Sequence, residues 1–483
     1  MTMIFGAAVT WRPPHCGGRH RSDREHWSNR ERTGGGVLAW LGDVRLGVIL
    51  TGMHRKAKQV DHAAASPADI LMRCFTAAVH AVQPERALRA PLRESTPSVA
   101  PCWIISVGKA SHGMARAIVE WLAEHGRGPA GGIIIAADAL GPVHPSLRAL
   151  VGDHPIPSDR SARAANAIAE TIERIPPGAE VHIAISGGAS ALMAGPLPPL
   201  STADVTATFE LLLASGLDIQ AMNAVRKRVT RWSAGRLALQ LAARTLRVWV
   251  ISDVISDDLG SIASGPCTGD RWTRADVAAM LSRSGHGVRL PVRVQAALLH
   301  ETPKPDNPWL ATITPRIVAT NGMAVAAALK VADSFGVRAS ASPAPLHGEA
   351  AEMGRTIAAT MAAHDGARGI VMWGGETTVT IVGNGGTGGR LQELALAAAE
   401  HLRGRDGTLL AAGTDGRDGP TDAAGAIVDG DTWNRIVGSG RDPATDLARH
   451  DAYPSLKAAG ALVHTGATGT NVMDVAFAVT GWP

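Results

Sequence analysis

CWIISVGKASHGMARAIVEWLAEH, residues 102–125, decides the fold class. Six residues of apolar strand character run into a glycine and a lysine, and the next sixteen carry apolar residues at helical spacing. GGIIIAA at 131–137 starts the pattern again, SARAANAIAETIERI (161–175) is helical, and VHIAIS (181–186) and RVWVIS (247–252) are two further short apolar runs. Alternation of this kind signals βαβ units around a mostly parallel sheet covered by helices. A Pro-rich polar stretch, HETPKPDNPW at 300–309, interrupts it and reads as a domain boundary. Beyond it come RIVAT (316–320), a helical pattern from Gly322 to Phe335, GIVMWGG (369–375), TTVTIVG (377–383), LQELALAAAEHL (391–402), TLLAAG (408–413) and ALVHTG (461–466). The expectation is an α/β protein with two α/β domains, at 53–305 and 306–483, each with a mostly parallel sheet. No period of 20 to 50 residues repeats, which excludes a solenoid.

Composition agrees with a folded enzyme-sized chain. The 483 residues are 45% hydrophobic, and 47 Lys and Arg against 43 Asp and Glu leave a formal charge of only +4, which is no basic stripe for nucleic acid. Residues 1–52 read as a weakly structured extension: HCGGRHRSDREHWSNRERTGGG (15–36) has neither the apolar region of a signal peptide nor the acid-free composition of a transit peptide. The apolar stretch Val37–Gly52 is broken by Asp43 and Arg45 and is too short to span a membrane. Cys16, Cys74, Cys102 and Cys267 are scattered without metal or disulfide spacing, which points to a reducing cytoplasm.

In an open parallel sheet, ligands bind beyond the carboxyl ends of the strands, where loops expose backbone N–H groups and helix N-termini. IISV ends at Gly108-Lys109, placing one of the chain's few lysines beside a helix start. HIAI ends at Ser186-Gly187-Gly188-Ala189-Ser190, a loop of small residues whose amides suit a phosphate or small anion. VWVI ends at Ser252-Asp253, with Asp257 and Asp258 close behind. These acids suit Mg²⁺, with Asp253 and Asp257 as candidate ligands, and helix capping explains Asp257 and Asp258 equally well. Asn223-Ala224-Val225-Arg226-Lys227-Arg228 is either a solvated helix face or an anion-attracting cleft wall. In the second half, Glu376 follows Gly374-Gly375, and Gly383-Asn384-Gly385-Gly386-Thr387-Gly388 formally matches GxGxxG ahead of Arg390. Thr414-Asp415 and Thr468-Gly469-Thr470-Asn471 close two further runs.

Taken in order, VGKAS, SGGASALM, MNAVRKRVTRWSAGRLA, VISDVISDD with IASGP, GGETTV, GGRLQELAL, GTDGRDGPTDAAGA and TGATGTNVMD resemble the MOFRL-type glycerate 2-kinases, some of which carry the label hydroxypyruvate reductase. The likeness spans about residues 60–480, with the MOFRL region at about 368–480. It implies an active site in an inter-domain cleft and transfer of phosphate from ATP to the 2-hydroxyl of D-glycerate with Mg²⁺. It also implies catalytic roles for Lys109 and Arg390, with supporting polar residues at Asp253, Glu376, Asp415 and Asn471; Asp253 is the candidate proton acceptor. Ser186, Gly187, Gly188, Ser190, Asn223, Arg226, Lys227 and Thr470 complete the expected substrate or nucleotide contacts. The chain departs from the family pattern at Ala189 (usually Gly), Leu391 (usually Asn), Trp232-Ser233 (usually an Ile-Lys-like pair) and Ala467 (usually Pro), which opens the question of an altered acceptor. Two other functions compete: an NAD(P)H-dependent hydroxypyruvate reductase, resting on GNGGTG, and a non-catalytic protein that binds small anions.

Overall fold

A computed structural model describes residues 3–4, 65–217, 219–284, 289–363, 368–381 and 383–482. The expected N-terminal extension lies outside these, apart from Met3–Ile4, which pair antiparallel with Thr380–Ile381. Among the described residues no helix is long and apolar enough to cross a membrane.

The first sheet has six parallel strands, β1 (Cys102–Val107), β2 (Gly131–Ala136), β3 (Leu147–Val151), β4 (Glu180–Ile185), β5 (Thr245–Ile251) and β6 (Arg316–Ala319), in the order β3-β2-β1-β4-β5-β6. β1, β2 and β4 are buried along their whole length, so they read as unbroken apolar runs rather than alternating ones. Their faces pack Ile105, Ile133, Ile183 and Val248 against Ala164, Ala165 and Ile168 of the helix Asp159–Arg174. That strand order reverses direction between β1 and β4. The crevice at their carboxyl ends is therefore where this topology places a ligand. RIVA, which in sequence opens the second half, pairs with β5 as the sixth strand of this sheet.

The second sheet holds β7 (Arg338–Ala341), β8 (Gly369–Gly375), β9 (Thr408–Gly413), β10 (Gly425–Asp429), β11 (Leu462–Val463) and β12 (Asp474–Thr480), ordered β11-β10-β9-β12-β8-β7. It is mixed: β7 and β8 are parallel and every other pair is antiparallel. The cause is visible in the chain: β9 and β10 are joined by a short loop with no helix, which can only return the chain antiparallel. The helix Arg390–Leu402 covers this sheet, burying Leu391, Leu394 and Leu402 with Leu409, Ala476 and Trp433.

Ser66–Pro483 forms one compact unit holding both sheets. The helix Pro67–Ala81, first in sequence, packs against the helix Asn321–Ser334 and β9 of the second sheet. It buries Ile70, Leu71, Cys74, Phe75 and Ala78 there. From residue 66 the described chain thus starts on the second sheet, builds the first, and returns.

Candidate active site

Three strand ends, two of them glycine-containing, make the floor of the first sheet's crevice. β1 stops at Gly108, whose φ is +127° and whose missing Cβ would lie 2.2 Å from Ser186 Oγ, so only glycine lets the two loops touch. Lys109 N donates to Gly187 O at 2.9 Å and Ala110 N to Ser186 Oγ at 3.0 Å. Gly187 in turn lies against the Asp253 carboxylate, where a Cβ would meet Oδ2 at 2.1 Å. Lys109, Ser186, Gly187, Gly188 and Asp253, drawn from three loops, are therefore neighbours as expected. Burial pushes the Asp253 carboxyl above its ordinary range, and the Lys109 ammonium partly opposes that rise.

The register of the second sheet assembles the facing wall. Asp474, first residue of β12, sits opposite Gly413 at the end of β9 and Gly375 at the end of β8. Glu376, Asp415 and Asp474 therefore converge although they are distant in sequence. Arg390, at the start of the covering helix, binds Asp474 through two bonds, Nε to Oδ2 at 2.5 Å and Nη2 to Oδ1 at 2.9 Å, and reaches Glu376 Oε1 at 2.8 Å. Burial raises the Asp474 carboxyl, Arg390 opposes that rise, and the acids around Arg390 hold its guanidinium firmly protonated. From the first sheet, Lys109 Nζ meets Asp415 Oδ2 at 3.1 Å. Two ion-paired cations, one from each sheet, thus stand on either side of Asp415 and Asp474.

Asp418 settles the glycine-rich loop. Its carboxylate accepts from Leu391 N at 3.2 Å and Gln392 N at 2.8 Å, so it fills the N-terminus of the helix that follows GNGGTGG. Burial raises it to about 7, with the two backbone donors and Arg390 working against that rise. A dinucleotide fold would hold a pyrophosphate at that position. Here a carboxylate of the chain itself occupies it.

The basic run of the helix Ile219–Val229 is buried rather than solvated. Lys227 and Arg228 share Asp270, at 3.0 and 3.1 Å, and so brace the fold. Arg226 differs: it stacks 4.5 Å over the Phe209 ring, and burial lowers it to about 10. Asn223 Nδ2 donates to Ser261 O, and Ser190 Oγ pairs with Ser264 Oγ at 2.8 Å. Asp257 lies on the turn after Asp253 at φ +50°. Thr470 Oγ1 donates to Val82 O at 2.7 Å, and Asn471 Oδ1 accepts from Met473 N, so both shape the last loop through backbone contacts.

Three residues have places in the site that the strand-end reading does not assign, although Asp418 and Asp474 lie within the strand-end strings it takes in. His154, on the loop after β3, reaches over Gly188: its Cδ2 would lie 3.2 Å from a Cβ there, and Lys109 Cγ 3.6 Å. Its ring opens to the cleft, yet the surrounding protein and then the cations Lys109 and Arg226 lower it to about 4, so it is neutral at pH 7. The other two are Asp474 and Asp418, whose roles depend on pairing across the sheet. A histidine within six residues of a short strand, in GDHPIP, was the available signal for the first.

A glycine-lined crevice at the switch point of a parallel sheet, with one ion-paired cation from each of two sheets, Lys109 and Arg390, defines the class as an α/β protein with its candidate site at the carboxyl ends of the strands. The MOFRL family matches residues 369–474, and the domain of unknown function DUF4147 matches residues 70–299. The glycerate 2-kinase of Pyrococcus horikoshii is 34% identical over 391 residues, 78% of this chain and 87% of the relative. A putative hydroxypyruvate reductase of Agrobacterium vitis is 36% identical over 421 residues, 85% and 94% of the two chains. The crystal structure of a glycerate kinase from Thermotoga maritima superposes with a TM-score of 0.75 at 32% identity, covering 85% of this chain and 98% of that one. The chain belongs to the MOFRL-type glycerate 2-kinase family.

Most departures from the family pattern are buried side chains. Ala189 and Leu391 are fully buried among apolar neighbours, and Trp232 packs in the first core with its Nε1 on Ala165 O at 3.0 Å. Ser233 pairs with Thr230 at 2.7 Å, and Ala467 is exposed.

Proposed function

We propose that this protein is a glycerate 2-kinase that transfers the γ-phosphate of ATP to the 2-hydroxyl of D-glycerate. The observation that carries the reading is the pair of cations, Lys109 held by Asp415 and Arg390 held by Asp474 and Glu376, brought to one crevice from two sheets. Phosphoryl transfer passes through a loose transition state with charge spread over the moving group, so it needs in-line positioning and fixed positive charge more than covalent help. The amides of Gly187–Ser190, beyond Ser186 whose own N–H donates to Val107 O, bind the phosphate chain, and Lys109 and Arg390 flank the transferred group. Their carboxylate partners keep both side chains preset, so little reorganisation is required as charge develops.

Among the described residues no three His, Cys, Asp or Glu gather as a metal cluster. Mg²⁺ takes one or two carboxylates and fills its shell with water and substrate phosphates, and the Asp253 carboxylate beside the Gly187 loop is an oxygen donor of that kind. Asp253 would hold the cation, with Asp257 on the same loop as a further oxygen, and the cation would neutralise phosphate charge. In the alternative role, with the cation held elsewhere, Asp253, its carboxyl raised by burial, is suited to accept the 2-hydroxyl proton as the 2-oxygen bonds to the γ-phosphorus and the bond from that phosphorus to the ADP oxygen breaks. The buried, unpaired thiols Cys74, Cys102 and Cys267 are in keeping with the cytoplasm. ADP release measured across a panel of 2-hydroxy acids tests the function. Release confined to ATP, a divalent cation and D-glycerate supports it; NADH oxidation with hydroxypyruvate and no ADP release overturns it.

A further inference from the structure

Arg226 is a buried cation without a counter-ion. Its side chain lies on the helix Ile219–Val229, its residue is 8% exposed, and its Nε has no hydrogen-bond partner. The contact of its Nη1 with Asn223 Oδ1 is long, 3.4 Å, and no described carboxylate lies within ion-pair distance. Its neighbours Lys227 and Arg228 show how this fold treats a buried cation that is only structural: both sit on Asp270. Leaving a guanidinium buried without an anion is as unfavourable as breaking a buried ion pair. A ligand that brings the anion removes that cost.

Position says which ligand. Asn223 Oδ1 also accepts from Ser264 Oγ at 3.3 Å, and Ser264 meets Ser190, two residues beyond Gly188 of the anion loop. His154 and Lys109 stand over Gly188 from the other side, and both Lys109 and Arg226 act electrostatically on the His154 ring. The described structure gives the His154 imidazole no hydrogen-bond partner. Phe209 closes one face of Arg226, and Met222 and Val225 bury their side chains in the same helical layer, so the guanidinium is walled by apolar groups on that side.

We infer that Arg226 and His154 form the subsite for the carboxylate of the acceptor, which makes the substrate class a small 2-hydroxy acid anion rather than a neutral polyol. Arg226 supplies the charge and His154, neutral, supplies an N–H at the mouth of the pocket. The inference rests on the kinase reading of the same crevice, placing the hydroxyl next to the phosphate held between Lys109 and Arg390.

The test uses binding rather than turnover. D-glycerate, its uncharged analogue glyceramide, and inorganic phosphate are each titrated calorimetrically into the full chain without nucleotide, for the wild type, R226M, R226K and H154A. Loss of a charge-assisted bond of this kind weakens binding about tenfold or more. D-glycerate affinity should fall by that much in R226M, less in R226K and about threefold or more in H154A, while glyceramide binding, weak throughout, stays unchanged. Phosphate affinity should not depend on Arg226. Thermal unfolding checks that R226M folds, and if it does not, H154A on the exposed ring carries the test. Unchanged D-glycerate affinity in folded R226M and H154A overturns the subsite, as does a loss confined to phosphate. If D-glycerate binding depends on Arg226 but no ADP forms with any acceptor, the subsite stands and the kinase reading falls.

Discussion

Asp474→Asn probes the arrangement that the two-sheet site depends on. The Asp474 side chain is 2% exposed, against 35% for Arg390 and 43% for Glu376, so the buried acid is the firm anchor and Glu376 the loose one. Asparagine keeps the shape and one acceptor oxygen but loses the charge and one of the two parallel bonds. Arg390 is then left to a half-exposed pair with Glu376, a contact worth only about 0–1 kcal/mol, and swings toward it. A displacement of about 1 Å in a group that flanks the transferred phosphate costs roughly 10²-fold in rate, so kcat should fall by about that factor while the KM for ATP changes little. Stability should change by less than ~2 kcal/mol, because the lost pairing is offset by no longer burying the carboxylate charge. Coupled ADP-release kinetics at saturating substrate, with thermal unfolding alongside, give both numbers. Turnover within threefold of wild type in a folded variant would refute the claim that Asp474 sets the position of Arg390.

Lys109→Ala should lower kcat about 10²–10⁴-fold, the scale for one preorganised charge, with the far-ultraviolet circular dichroism spectrum unchanged; near-normal turnover removes Lys109 from the chemistry. Asp418 titrates near 7 when folded against an ordinary value of 3.8, so the folded chain holds the extra proton between those values, and this group's contribution to stability falls as pH rises through that window. Asp418→Asn should therefore look worst near pH 5, where only the weakened helix cap is felt, at about 1 kcal/mol, and improve relative to wild type by pH 8; melting curves showing the reverse trend would contradict it. A chain cut after residue 305 leaves Ile70, Leu71, Phe75 and Ala78 without the second sheet that covers them, so it should aggregate or bind a hydrophobic dye; a soluble, cooperatively folding fragment would show that the first sheet does not need its partner.

The strand ends were legible because each is a local event. IISV-GK, HIAI-SGG and VWVI-SD announce a buried strand and its turn within ten residues, and Lys109, Gly187 and Asp253 meet where those turns converge. What pairs with what was not local. Lys109 and Asp415 are 306 residues apart and Arg390 and Asp474 are 84; the register of β12 between β8 and β9 places Asp474 beside the ends of those strands, and the Lys109 contact joins the first sheet to the second. DVAFAVT, which is β12, and GAIVD, which is β10, carry apolar patterns that fit strands yet went unread, so the antiparallel character of the second sheet was hidden with them. TTVTIVG looked like a full strand and contributes only Thr380–Ile381 among the described residues. The basic run at 226–228 divides into two meanings, because a one-dimensional charge count does not register that Asp270 lies beneath two of its members.

Phosphorus NMR of the product formed from ATP, Mg²⁺ and D-glycerate tests the central claim most directly, with Arg390→Ala run beside the wild type. The account predicts the resonance of 2-phosphoglycerate for the wild type and roughly 10²-fold or slower formation of it for the variant. Exclusive formation of 3-phosphoglycerate, or equal rates from the two proteins, would contradict it.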